Sequence, residues 1–515
     1  MSTLDRDLDR LLPDARARAL RFAPVPRLDQ VGVVRQVGDG VAVISGLPDT
    51  RLDELLVFAD ERWGIAVALE RDHVGCVLLG PGAGIAAGSE VSPTGDVVRT
   101  PVGEALLGRV VDALGTPLDD GAEIRADRLD PVERPAPPIV DRDPVSRPLQ
   151  TGLLVVDTMV PIGRGQRELI IGDRKTGKSA IAVDTILNQK NSDVVCVYAA
   201  IGQKASSVAA VIDAVRRHGA PERCIFVVSS ADSPPGLQWI TPYAACSMAE
   251  YFRDNGRDAL LVIDDLTKHA AVYREISLLL RAPPGREAFP GDIFYIHARL
   301  LERAAKLAQE RGGGSLTALP IAETQAGNLS AYIPTNLVSI TDGQIYLDEK
   351  QFHEGHKPAV DVGKSVSRVG GKSQTTAMKP YAETLRLDYA QFVELELFAR
   401  FSGALDMRTR RTIDRGRRIR ALLAQPQFAP FGLGEQVALL LSLKDGIVDS
   451  VALERIAAFR NDCRAALAER AGAVLSRIDT TGELSDEDRE SLLAVLRDAA
   501  VRHAATASPP RSVGD

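Results

Sequence analysis

Hydrophobic positions along this sequence change their spacing twice. Between residues 27 and 95, Val31, Val33, Val37, Val41, Val43 and Ile44 alternate with polar or glycine positions. Turn signals recur there at Gly38-Asp39-Gly40, Leu47-Pro48-Asp49 and Gly80-Pro81-Gly82. Short strands broken at that interval predict a small β-barrel or sandwich. From 151 to about 375 apolar runs alternate with helical stretches. Strands are predicted at 168–171, 194–200, 225–229, 259–263 and 316–319, and helices at 178–189, 205–218, 242–255 and 298–311. This αβ alternation specifies a largely parallel sheet covered by helices. Beyond about 380 the strand signal fades, Leu, Ala, Arg and Glu dominate, and the pattern is that of a helical bundle. Ser485-Asp486-Glu487-Asp488 ahead of Leu492 and Leu493 reads as a helix start.

The flanks and joints follow. Leu4, Leu8, Leu11 and Leu12 form an amphipathic stripe that Pro13 ends or kinks. The stretch 131–150, with Pro135-Ala136-Pro137-Pro138, reads as an extended connector. Five segments are expected: an N-terminal helix or tail (1–25), a β-barrel domain (26–95), an α/β nucleotide-binding domain (96–378), a helical domain (379–505) and a disordered tail (506–515).

Composition narrows the class of protein. A length of 515 residues with 45% hydrophobic and 25% charged residues is that of a soluble protein with about three domains. A formal net charge of −7 argues against a dedicated nucleic-acid binder. The five cysteines lack metal-ligand spacing and are expected as buried, reduced thiols in a cytosolic compartment. No apolar run approaches the roughly 18 residues that span a bilayer, so contact with a membrane is expected through partners.

The candidate chemistry centres on Gly172-Asp173-Arg174-Lys175-Thr176-Gly177-Lys178-Ser179, a complete G-x-x-x-x-G-K-[ST] phosphate loop between a predicted strand and a predicted helix. Glycines let backbone N–H groups close around phosphate, and the helix N-terminus adds its positive end. Lys178 is expected on the β- and γ-phosphates and the Ser179 hydroxyl on Mg²⁺. The apolar run Leu260-Leu261-Val262-Ile263 ends in Asp264-Asp265, where the acid that holds Mg²⁺ belongs; Asp264 is the expected ligand and Asp265 its support. Hydrolysis also needs a group that polarises the attacking water. The strand after the phosphate loop, starting at Val194, runs into Gly202-Gln203-Lys204, and a glutamine amide is no base. Either this site does not hydrolyse, or its base lies elsewhere and Gln203 is an ordinary strand end. Ser365-Val366-Ser367-Arg368-Val369-Gly370 suggests a positioned arginine, although a surface ion pair is the commoner role of a lone Arg.

Long motifs then carry a resemblance. Pro161-Ile162-Gly163-Arg164-Gly165-Gln166-Arg167-Glu168-Leu169 runs into the phosphate loop, and Ala200-Ile201-Gly202-Gln203-Lys204 follows. Further on come Pro284-Gly285-Arg286-Glu287-Ala288-Phe289-Pro290-Gly291-Asp292, Ile321-Ala322-Glu323-Thr324-Gln325-Ala326-Gly327 and Thr341-Asp342-Gly343-Gln344-Ile345-Tyr346-Leu347. From about residue 28 to 440 the sequence resembles the alpha subunits of rotary F-type ATP synthases. The resemblance implies an N-terminal β-barrel, a central RecA-like α/β phosphate-loop domain and a C-terminal α-helical bundle. It implies a non-catalytic, regulatory subunit of an enzyme complex that makes ATP from ADP and phosphate with a proton or sodium gradient. ATP or ADP and Mg²⁺ are the implied ligands. Three such subunits would alternate with three catalytic beta subunits around a gamma-type stalk, with the N-terminus meeting the delta or peripheral stalk. The complex would sit peripherally on the cytoplasmic face of the cell membrane, with no nucleic acid involved. By the same resemblance Arg368 is an arginine finger in the adjacent beta site, Ser365 is required for activity, and Lys357, Pro358, Gln425 and Gln427 border the adenine. The sequence departs from the family at Lys175, where Gln is usual, at Ser179, where Thr is usual, and at Gly355-His356-Lys357-Pro358, where Ile-Arg-Pro is usual.

Two other classes compete. A catalytic ring ATPase, beta-like or a secretion or flagellar motor, would need an acid at Gln203. A Rho-type RNA helicase would use the barrel as an RNA reader. Arg408, Arg410, Arg411, Arg415, Arg417, Arg418 and Arg420 point weakly that way, but a solvated or inter-subunit face suits them better, and the barrel segment has few aromatics for base stacking.

Overall fold

The computed structural model describes residues 30–399 and 406–503. The expected N-terminal helix, its docking role and the C-terminal tail lie outside the described residues.

Six strands close a barrel: β1 (Gly32–Gly38), β2 (Val41–Ser45), β3 (Glu54–Phe58), β4 (Arg62–Leu69), β5 (Val74–Leu78) and β6 (Glu90–Val97). Their order is β1-β2-β5-β4-β3-β6, all antiparallel, so the barrel rather than the sandwich forms. Alternate residues point inward, and Val34, Ile44, Leu56, Phe58, Cys76, Leu78 and Val91 fill the interior. Bulges in β1, β4 and β6 bend the strands enough for closure. A two-stranded ribbon, β7 (Arg99–Val102) with β9 (Arg128–Pro131), follows the barrel, and the short β8 (Val110–Val111) lies between them in sequence.

The central sheet contains β8, β10 (Leu169–Gly172), β11 (Val195–Gln203), β12 (Cys224–Ser230), β13 (Asp258–Asp264), β14 (Ser315–Glu323), β15 (Gly343–Leu347) and β16 (Val366–Ser367). The order is β16-β15-β10-β14-β13-β11-β12-β8, parallel except for β16. β13 is buried along its whole length, as a strand covered on both faces must be. Insertion of β14 between β10 and β13 brings the C-terminal ends of β10, β14, β13 and β11 side by side.

Two predicted helices need correction. The helix expected over 242–255 starts at Pro235 and runs to Asp254, with Pro242 inside it. The stretch expected as one helix over 298–311 is a helix from Ile293 to Glu302 and then an irregular turn. Arg303 causes the break. Its buried guanidinium donates to Glu250 at 2.7 and 3.1 Å, to the Val132 carbonyl at 2.7 Å and to Ser247 Oγ at 2.7 Å. Leu307 N then donates to the Gly314 carbonyl, which ends helical pairing. Pattern reading missed the helices Leu266–Leu279 and Tyr332–Ile340, and the strands β8, β15 and β16. All five cysteines are buried and free. Among the described residues no helix is long and apolar enough to cross a membrane.

The C-terminal part is helical: Lys379–Ala399, Met407–Leu423, Leu433–Lys444, Ile456–Arg470, Gly472–Thr481 and Asp486–His503. The last begins where predicted, and Ser485 Oγ accepts from Asp488 N. Three of the seven arginines of Met407–Leu423 join elements within the bundle. Arg415 pairs with Asp388 and Asp449, Arg420 pairs with Glu396, and Arg418 donates to the Val451 carbonyl. The helix Leu433–Lys444 is buried on nearly every side and shares one core with the nucleotide-domain helix Lys178–Asn188. That continuity seats the loop 425–428 over the sheet.

Candidate functional site

The strand β10 ends at Gly172, and the backbone turns through Lys175 (φ 63°) and Gly177 (φ 95°) into the helix Lys178–Asn188. Both residues sit in the left-handed region, which glycine enters at no steric cost and lysine does not. Asp173 braces the loop from behind: its carboxylate accepts from Thr324 Oγ1 and from Gly327 N. Arg174 is held aside by Glu323 at 2.8 Å.

In front of the loop lies a cleft of about 460 Å³. The expected phosphate, metal and base residues share it: Lys175, Thr176, Gly177, Lys178, Ser179, Gln203, Asp264, Lys357, Pro358, Gln425 and Gln427 all line its wall. Lys178 is buried, and its Nζ donates to the carbonyls of Gly172 at 3.0 Å and Asp173 at 2.6 Å. Burial lowers its pKa, against the pull of Glu323, Asp265, Asp264 and Asp173. A buried ammonium facing backbone carbonyls and flanked by carboxylates is well suited to take an anion.

Asp264 is the hub. Ser179 Oγ and Tyr198 OH each donate to Asp264 Oδ2 at 2.7 Å, and Gln203 Nε2 donates to Oδ1 at 2.8 Å. The Ser179 hydroxyl and the Asp264 carboxylate are hard oxygen donors of the kind that Mg²⁺ takes. Asp265 caps the helix Leu266–Leu279 by accepting from Lys268 N at 2.7 Å. Burial, and then the charge of Asp264, push the Asp265 carboxyl up to about 7. The amide of Gln203 is held at both ends, because Lys268 Nζ donates to its Oε1 at 2.8 Å. Gln203 thus spans a carboxylate and an ammonium and has no charge of its own to offer water.

At the far end of the cleft Lys357 Nζ lies 4.5 Å from the centre of the Phe352 ring. Gln425 is buried, and its side chain is saturated by backbone. It accepts from Leu154 N at 3.1 Å and donates to the carbonyls of Gly152 and Ala429 at 2.8 Å each. It anchors the loop rather than presenting a free amide, whereas Gln427 is exposed on the rim. Asp184 on the floor accepts from Phe428 N at 2.8 Å, and burial holds its carboxyl up at about 6.

Arg368 and Ser365 stand apart from this cleft. Ser365 is buried, donates to the Asp361 carbonyl at 2.7 Å and accepts from Tyr346 N at 2.9 Å. Those bonds fix the loop leading to β16. Arg368 follows β16 at the sheet edge with its backbone N–H on the Asp342 carbonyl. Its side chain is exposed and makes no hydrogen bond or ion pair among the described residues.

Sequence reading did not single out Glu323, Tyr198 or Asp173 for these contacts. Glu323 faces Gly172 in the β10–β14 register, and only the strand order reveals that. Its one signal was that an acid follows the predicted strand 316–319.

Three family models match in sequence order. The beta-barrel domain of the ATP synthase alpha/beta family covers 28–95, the nucleotide-binding domain of that family covers 152–367, and its C-terminal domain covers 374–499. Among relatives, the protein is 56% identical to ATP synthase subunit alpha 3 of Paraburkholderia xenovorans (strain LB400) over 98% of its own length and 96% of the relative. It is 55% identical to ATP synthase subunit alpha 2 of Gluconobacter oxydans (strain 621H) over 96% of its own length and 98% of the relative. Identity to ATP synthase subunit alpha 1 of the same Paraburkholderia strain is 58% over 87% of its own length and 88% of the relative. With its barrel, phosphate-loop sheet and helical bundle in the family's order, the chain belongs to the ATP synthase alpha/beta family and, within it, to the alpha subunits.

Proposed function

We propose that this protein is the nucleotide-holding, non-catalytic member of an ATP synthase ring, and that its own chemical contribution is made in a neighbouring site. The observation that carries this reading is Gln203. At the end of β11, where attack by water would need a charged acceptor, a neutral amide is locked between Asp264 and Lys268. The cleft can hold ATP or ADP through the phosphate loop and Lys178, with Ser179 and Asp264 as the ligands of Mg²⁺. When bound, Mg²⁺ would offset phosphate charge. Gln425 and Asp184 keep the C-terminal loop over the base end of the cleft, and Lys357, Pro358 and Gln427 border it.

The exposed side chain of Arg368, which makes no hydrogen bond or ion pair among the described residues, supports a role in trans. An arginine supplied across a subunit boundary stabilises charge on a transferring phosphoryl group and is worth about 10³–10⁵ in rate. The nucleotide it would act on belongs to a catalytic beta subunit, in an alternating ring of three and three around a gamma-type stalk. Ser365 is a positioning residue for that loop. The assembly would lie on the cytoplasmic face of the membrane, meeting the peripheral stalk through the N-terminus and the membrane only through the ion-translocating sector. The beta-like and helicase readings lose ground because the relatives are alpha subunits and Gln203 is not an acid.

The test is ATP turnover by the purified full-length protein without partners. Binding of ATP with almost no phosphate release is expected. Robust hydrolysis by the protein alone would refute the reading of Gln203.

A further inference from the structure

Lys175 is an exposed lysine of the cleft. It lines the cleft three positions before Lys178, its side chain is exposed, and it makes no hydrogen bond or ion pair among the described residues. Its neighbours are all engaged. Arg174 is paired with Glu323, Thr176 Oγ1 donates to the Asp173 carbonyl, and Lys178 Nζ bonds two carbonyls. Its backbone also carries a cost, since a lysine at φ 63° is held where glycine is the easy choice. The cleft is lined by four carboxylates, Asp184, Asp264, Asp265 and Glu323, against three ammonium groups, Lys175, Lys178 and Lys357. Lys357 sits over Phe352 at the opposite end, and Lys178 is sunk behind the loop. Lys175 is therefore the one unengaged ammonium on the phosphate side of the cleft among the described residues.

We propose that Lys175 makes this site discriminate by phosphate number, favouring a nucleoside triphosphate over a diphosphate. This rests on the reading of the cleft as a nucleotide holder. A triphosphate brings one more phosphate group than a diphosphate, and it enters a cleft whose lining already includes Asp264 and Glu323. Lys178 faces that charge from behind the loop. A second ammonium, on a flexible stem at the loop's outer side, offsets the added charge of the terminal phosphate. It contributes little to a diphosphate, whose charge lies closer to the backbone N–H groups and the helix start. A charge-assisted contact of this kind is worth about tenfold or more in affinity. The side chain is exposed and makes no hydrogen bond or ion pair among the described residues, so its replacement should leave the fold intact.

The experiment measures ATP and ADP affinities of the full-length protein in Mg²⁺ buffer, for wild type, Lys175→Gln and Lys175→Arg. Wild type is expected to prefer ATP. Lys175→Gln should weaken ATP binding about tenfold while changing ADP binding about twofold or less, and Lys175→Arg should restore the preference. Equal losses for both nucleotides, or no loss for either, would overturn the assignment and leave the cleft reading standing. Failure of wild type to bind either nucleotide would overturn the cleft reading and this assignment together.

Discussion

Asp184 shows how one residue can serve the architecture at a thermodynamic cost. It accepts from Phe428 N, and that bond keeps the C-terminal loop on the nucleotide domain. Yet burial raises its carboxyl to about 6, above the usual carboxylate range near 4. The folded protein thus binds this proton more tightly than the unfolded one. The stability Asp184 contributes is complete below about pH 4 and is lost as the pH rises through 6. Asp184→Asn keeps an acceptor for Phe428 N and removes the buried charge. In nucleotide-free thermal unfolding it should be more stable than wild type above pH 6, by up to about 3 kcal/mol, with the advantage gone near pH 4. Superimposable pH profiles for the two proteins would contradict this.

Elements are held in place here by single polar side chains that cross between them. Arg303 ends one helix and bonds Glu250 of another and the Val132 carbonyl of the connector, all in the core. Glu250→Gln leaves that guanidinium buried without its charge partner, which costs about 3–5 kcal/mol. A clear fall in the melting temperature is expected, and an unchanged melt would show that the pair is dispensable. Gln425 does the same for the cleft. Gln425→Ala leaves Leu154 N and the Ala429 carbonyl without its amide, at about 1–3 kcal/mol for each buried group left unpaired, while the Gly152 carbonyl keeps its bond from Phe431 N. It should loosen the loop and weaken nucleotide binding, as titration calorimetry would register. These roles explain what sequence could convey. The phosphate loop was legible because glycines, a preceding apolar run and a helix start are local. The neutral Gln203 was legible because it ends a strand. The break after Glu302 was not, because it depends on Arg303 finding Glu250 across the core. The part of Glu323 beside the loop was not either, because it depends on β14 being inserted next to β10. Gln425 was legible as a cleft residue, but the saturation of its amide requires the distant backbone at Gly152 and Leu154.

On the scale of the whole molecule, the barrel, sheet and bundle place two separate chemical features on one polypeptide. The cleft at the strand ends gathers phosphate-loop cations, carboxylates and a neutral glutamine. Arg368 stands outside it at the sheet edge, exposed and unpaired among the described residues. A protein built this way holds nucleotide in one place and presents a cation in another, as the role in trans proposed above requires. The most direct measurement is ATP turnover of the complex reassembled with Arg368→Ala, alongside nucleotide binding by the free variant. Turnover should fall by about 10³ or more while the free variant binds ATP as wild type does. Turnover at the wild-type rate, or a parallel loss of binding by the free variant, would contradict the account.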